Sequence, residues 1–272
     1  MTSSIPNSAT DAPLENTDVQ LISNTFASVA LPKRQFSSTD EPTNVDLNQG
    51  ALWLPLTDNQ DPSAEPVERN SHEWIQAITE YANNRGFKEL HTRWALGELI
   101  ANAIQYSVTT NTDSHSGLVR VEWEFKDKGD ECNLILAVSN PVLKVFDPTR
   151  YARMTVVDFF SMEQSPTNAH EGTNTLLAFL KPGTSLNYLW ELRDEGRLFL
   201  QVTPIPENAP DRPDNYENLK RPITTDLHRV SNTGEKYPYS FKDFLADTDA
   251  HTTRELACHS VQISCTLTNK NS

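Results

Sequence analysis

At 272 residues, the chain is long enough for one sizeable domain with tails or for two small ones. Its net charge of −14 argues against binding to nucleic acid or to an anionic membrane, because either surface would repel it. An apolar share of 37%, with 17 prolines against 9 glycines, places part of the length outside any packed core.

The opening "MTSSIPNSAT" has neither the basic nor the apolar region of a signal peptide. No run nears the roughly 18 consecutive apolar residues that a membrane span requires. Cys132, Cys258 and Cys265 are too few and too scattered for a disulfide framework. A soluble, cytoplasmic protein is the expectation.

Residues 1–49 are rich in Ser, Thr, Asn, Asp and Pro and read as a mobile polar tail, with "VQLISNTFASVALP" as one island able to dock. Folded pattern begins at "ALWLPL", a short strand. A helix follows in "NSHEWIQAITEYANNRGF", where Asn70 can cap the start and Gly86 the end. Trp74, Ile75, Ile78, Tyr81 and Ala82 form its apolar stripe. A second helix covers about residues 88–107, with Leu96, Leu99, Ile100, Ala103 and Ile104 on one face and Glu98, Asn102 and Gln105 on the other.

In "LVRVEWEF", Val119, Val121, Trp123 and Phe125 alternate with Arg120, Glu122 and Glu124, the pattern of a half-buried strand. "KDKGDE" is its hairpin turn and "CNLILAVS" the partner strand. After an irregular stretch, "TNTLLAFLK" reads as a short helix, and "SLNYLWEL" with "RLFLQVTPI" as a closing hairpin. The domain so defined runs over residues 50–206. Residues 207–272 read as a Pro-rich linker and a C-terminal extension with one strand, "SVQISCTL". The order of elements predicts an α/β fold: a two-layer α/β sandwich, a mixed sheet with helices on one face.

The chemistry-bearing stretch is "LGELIANAIQYS". Glu98 and Asn102 stand four residues apart, one helical turn, so both project from one face. Read alone, the pair is also what the wet side of an ordinary surface helix looks like. With its surroundings, "RWALGELIANAIQYS" resembles the N-box of the GHKL ATPases, the superfamily of the bacterial histidine kinases. "LWLPL", then "HEWIQAITEYANNRGF", then "ALGELIANAIQYS" is similar in order and spacing to the anti-sigma-factor serine kinases of that superfamily. The resemblance covers about residues 51–205.

The resemblance implies a Bergerat-type sandwich that binds ATP and Mg2+ and acts in signal transduction on a regulatory protein partner. It makes Asn102 the magnesium ligand, since that ion takes hard oxygen donors such as an amide carbonyl. It makes Glu98 the catalytic base that activates the nucleophile attacking the γ-phosphate. Where the family carries an adenine-binding Asp in a glycine box, this chain has "AVSNPVLKVFDP", with Ser139 or Asn140 in that place and neither glycine. Asn140 is the nucleotide-binding candidate there, and a turn closing the strand is the other reading of Asn-Pro. The phosphate-binding turn is represented by "HEGTNTLLAFLK", with Gly172, Thr173 and Asn174 at a helix start able to hold an anion. The missing glycines leave an alternative, a degenerate module acting by protein–protein binding without catalysis. His251, Cys258, His259 and Cys265 match no standard zinc spacing.

Overall fold

The alternation of Val119, Val121, Trp123 and Phe125 with charged neighbours does form a strand, β3 (Leu118–Lys128), but both of its faces are buried. It belongs to the sheet that dominates the computed structural model. The structure describes residues 34–37, 40–42, 45–55, 67–107, 118–149, 185–194, 196–204, 223–248 and 254–270, all within the unit Pro32–Ser272.

The other strands are β1 (Gln35–Ser37), β2 (Gln49–Pro55), β4 (Glu131–Pro141), β5 (Lys144–Phe146), β6 (Leu186–Leu192), β7 (Arg197–Pro204), β8 (Ile223–Val230), β9 (Lys236–Pro238) and β10 (Glu255–Lys270). Three helices are described: α1 (Val67–Asn84), α2 (Glu89–Tyr106) and α3 (Phe241–Asp247). The strand order is β1-β2-β3-β4-β10-β6-β7-β8-β9, with β5 pairing β10 off this path. β1 runs parallel to β2; the other described pairs are antiparallel.

This corrects the expected two-layer α/β sandwich of Bergerat type. The molecule is mostly one large mixed sheet of ten strands, with half of the described residues in strands and only about a quarter in helices. The two longer helices pack on each other and, on the sheet, mainly on β2, β3 and β4. Two features of the sequence conceal the sheet's extent. "ITTDLHRV" of β8 lacks a clean two-residue period, and the 16 residues of β10 stretch well beyond the apolar run at its centre. The stretch after Pro206 thus contributes β8, β9, α3 and β10, and β10 lies in the middle of the sheet, bonded to both β4 and β6.

Ring contacts fix which face the helices cover. Trp123 of β3 packs against Trp74 of α1 at 5.9 Å, and Phe125 against Tyr81 of α1 at 5.0 Å. Odd-numbered residues of β3 therefore face the helices. The register then places Leu134, Leu136, Val138 and Asn140 of β4, and Val261, Ile263, Cys265 and Leu267 of β10, on that same side.

Phe36 completes an aromatic cluster, 4.8 Å from Trp74 and 5.9 Å from Trp123, which ties β1 and β3 to α1. Buried indole N–H groups need acceptors. Trp74 Nε1 donates to the Asp40 carbonyl at 3.1 Å and Trp123 Nε1 to the Leu47 carbonyl at 3.0 Å. Gly50 is required here, because a Cβ at that position would lie 2.3 Å from Trp123 Cζ2.

α1 buries Trp74, Ile78 and Ala82 and half-buries Ile75 and Tyr81, the predicted stripe. Its start differs from expectation: the helix opens at Val67, so Asn70 lies inside the first turns instead of capping them. Its end agrees. Gly86 adopts φ +83°, a left-handed conformation that glycine takes without a steric penalty, and the Asn269 side chain caps the Arg85 carbonyl at 3.0 Å. None of the described helices is long and apolar enough to cross a membrane.

Candidate functional site

α2 buries Thr92, Ala95, Leu96, Leu99, Ile100 and Ala103 against the sheet and α1. Their spacing leaves His91, Glu98 and Asn102 together on one flank, at i, i+7 and i+11 of a helix turning about 100° per residue. All three are half-buried. That flank is neither the fully wet edge of a surface helix nor a sealed core position.

Burial raises the Glu98 carboxyl above its ordinary range. Burial, assisted by the nearby Lys88 charge, pulls the His91 imidazole down. Both shifts favour the uncharged form, as expected where the low-dielectric protein replaces part of the water. Among the described residues the side chains of Glu98 and Asn102 have no hydrogen-bond partner. Their capacity to accept is left for something else.

Glu98 also lines a groove of about 360 Å³, open to solvent, together with Arg93, Trp94 and Gly97 of α2 and with His72 and Ile75 of α1. The recess beside this carboxylate is thus mostly apolar, with a basic residue on each helix at its edge.

Asn140, at the end of β4, is buried and lies on the helix-bearing side of the sheet. Its amide makes one long hydrogen bond, 3.5 Å, to the Pro141 carbonyl. Ser139 points to the opposite side, so of the two adenine-binding candidates only Asn140 shares a face with α2. No hydrogen bond joins Asn140 to Glu98 or Asn102. The phosphate-turn candidates Gly172, Thr173 and Asn174 lie outside the described residues, as does His251. Cys258 and Cys265 are buried with their thiols pushed up to about 12 by burial, and no metal-holding group of three or more His, Cys, Asp or Glu occurs among the described residues.

The far side of the sheet holds a cluster that a half-buried β3 did not foretell. Arg120 and Glu122 are only 4% and 2% exposed and meet at 2.8 Å. Gln262 Nε2 of β10 donates to Glu122 at 3.1 Å, and Arg120 lies over the Trp53 ring at 5.4 Å. The signal was present in the charge pattern. Arg120 and Glu122 stand two apart on one strand face, and Gln262 and Ser264 interrupt an apolar strand at the same period. Opposite charges so placed can be buried as a pair.

No family model matches the chain, and no curated protein matches it.

Proposed function

We propose that the chain is a regulatory protein that binds ATP with magnesium along the Glu98–Asn102 flank of α2. The observation that carries this reading is the state of those two side chains: half-buried, one turn apart, and without a hydrogen-bond partner among the described residues. The Asn102 amide fits the ion, since its carbonyl is a hard oxygen ligand. Bound ATP–Mg2+ would supply a γ-phosphoryl group for transfer to a hydroxyl of a partner protein. Glu98, held by burial at a raised pKa, is a stronger proton acceptor than an ordinary carboxylate and suits the role of base at that hydroxyl. Asn102 offers its carbonyl oxygen without adding charge. The reading rests on these residues and on their N-box resemblance, and not on the overall architecture, which differs from the one that resemblance implies.

The test is a thermal-shift titration with ATP, with and without magnesium. A hundredfold excess over the dissociation constant adds about 2.7 kcal/mol of stability. The magnesium-dependent part is expected to vanish in Asn102→Ala. An unchanged melting temperature at millimolar ATP–Mg2+ removes the reading.

A second reading, protein binding without catalysis, is favoured by the outer surface of α2, where Leu90 is 59% and Trp94 44% exposed.

A further inference from the structure

Gly97 stands in the interior of α2, where glycine is the least favourable residue after proline. Buried glycines usually answer to a neighbour, as Gly50 does to Trp123. At Gly97 an added Cβ would meet nothing within 4 Å among the described residues. The backbone there is ordinary right-handed helix, so no special dihedral calls for glycine either. The fold does not explain this residue. A bare stretch of helix backbone does allow another backbone to come close.

The surroundings indicate what comes close. Leu90, Trp94, Gly97 and Ala101 follow one another at i, i+4, i+7 and i+11, a single stripe on the outward side of α2. Two large apolar residues lead into two small ones, and Ile75 of α1 extends the apolar floor beside Gly97. α2 is therefore apolar on both sides, one against the sheet and one outward. A helix covered on one side only keeps its polar residues for the other. Charge selects among occupants. The outward surfaces of α1 and α2 carry exposed Glu73, Glu80 and Glu89 and half-buried Glu98 against exposed His72, Lys88 and Arg93, on a chain of net charge −14. A second copy would bring the same excess of acid to the contact.

We propose that this surface docks a basic amphipathic helix of another protein, whose backbone crosses α2 at Gly97 and whose Lys or Arg side chains reach Glu98 and the neighbouring acids. The proposal deepens the protein-binding reading and does not depend on ATP.

The test uses the full chain and two 18-residue model helices, one with an apolar stripe flanked by lysines and its twin with glutamates in their place. Calorimetric titration is expected to show the lysine peptide binding at least tenfold more tightly, with affinity falling as salt rises. Gly97→Ala is expected to raise the melting temperature of the free chain by a few degrees while weakening the peptide at least tenfold. Trp94→Ala is expected to weaken it without changing the far-UV spectrum. Opposite signs in stability and binding for one methyl group are the signature of a contact made only with a partner. Three outcomes overturn the proposal: no binding of the lysine peptide at millimolar concentration, binding indifferent to Gly97→Ala, or a lowered melting temperature in that variant. A dimer in sedimentation velocity that Gly97→Ala dissolves also overturns it, in favour of a second copy. ATP-dependent thermal shifts on the same samples keep the two readings apart, since either response can be lost while the other persists.

Discussion

The Arg120 guanidinium and the Glu122 carboxylate face each other at 2.8 Å on the buried far side of β3. Arg120 Nε and Nη2 and Glu122 Oε1 lack well-aligned hydrogen bonds among the described residues, so the pair is held mainly by charge and by the Trp53 ring and Gln262 beside it. Removing one buried partner strands the other. Arg120→Met is expected to cost about 3–5 kcal/mol, and adding Glu122→Leu to recover most of that loss. Urea unfolding of the two single variants and the double variant checks it; strictly additive losses would mean that the pair is not coupled.

Two glycines are expected to respond to alanine with opposite signs. Gly50→Ala drives a Cβ into Trp123 and Phe36 and is expected to destabilise by about 1–3 kcal/mol. Gly97→Ala meets nothing within 4 Å among the described residues and is expected to stabilise by about 1 kcal/mol, the helix-propensity difference. Chemical denaturation reports both, and equal signs would contradict the packing described around Gly50 or around Gly97.

Glu98 gives a pH signature with a definite sign. Its carboxyl is raised above the ordinary value of 4.5, so the folded chain holds this proton more tightly than the unfolded chain does. The associated stability is complete below about pH 4.5 and is lost as pH rises through the higher, folded value. Glu98→Gln, which cannot ionise, should therefore melt above the native chain at neutral pH and converge with it in acid. Parallel melting curves from about pH 4 to pH 8 decide the matter. A gap that widens toward acid would mean that the carboxylate is stabilised, not shielded.

The short helix α3 depends on its first turn. Ser240 Oγ accepts from the Asp243 N–H at 3.3 Å, and the Asp243 carboxylate accepts from the Ser240 N–H at 2.9 Å. Ser240→Ala is expected to cost about 1 kcal/mol. Hydrogen exchange should show the loss first at the Phe244 and Thr248 amides, which close the turns of this helix. Unchanged protection there would show that Phe244, buried in the core, holds the helix without its cap.

Local chemistry was legible where a single stretch carried it. The Trp74–Ala82 stripe, the glycine stop at Gly86, the β3–β4 hairpin and the β6–β7 hairpin all followed from periodicity and turn residues. That Glu98 and Asn102 share one flank of α2 followed from helical spacing, whereas the half-burial of that flank did not. The architecture did not, because strand partners are chosen across the sequence and not within it. Arg120 and Glu122 look like a wet strand edge until Gln262, far along the chain, arrives beside them. β8, with Thr224, Thr225 and Asp226 in its first half, carries too little apolar pattern to stand out from the Pro-rich stretch before it. The cap expected at Asn70 instead lies inside α1, which starts earlier, at Val67.

The seat of β10 between β4 and β6 has a consequence for biosynthesis. Every other described strand leaves the ribosome before it, so the nascent chain carries two half-sheets whose inner edges stay unsatisfied until residues 255–270 emerge. Vectorial assembly can build each half-sheet of such a topology but cannot join the two. Maturation must wait for this last hairpin-less insertion, and a stall or nick just upstream of it would release a sticky intermediate instead of a shortened but working protein.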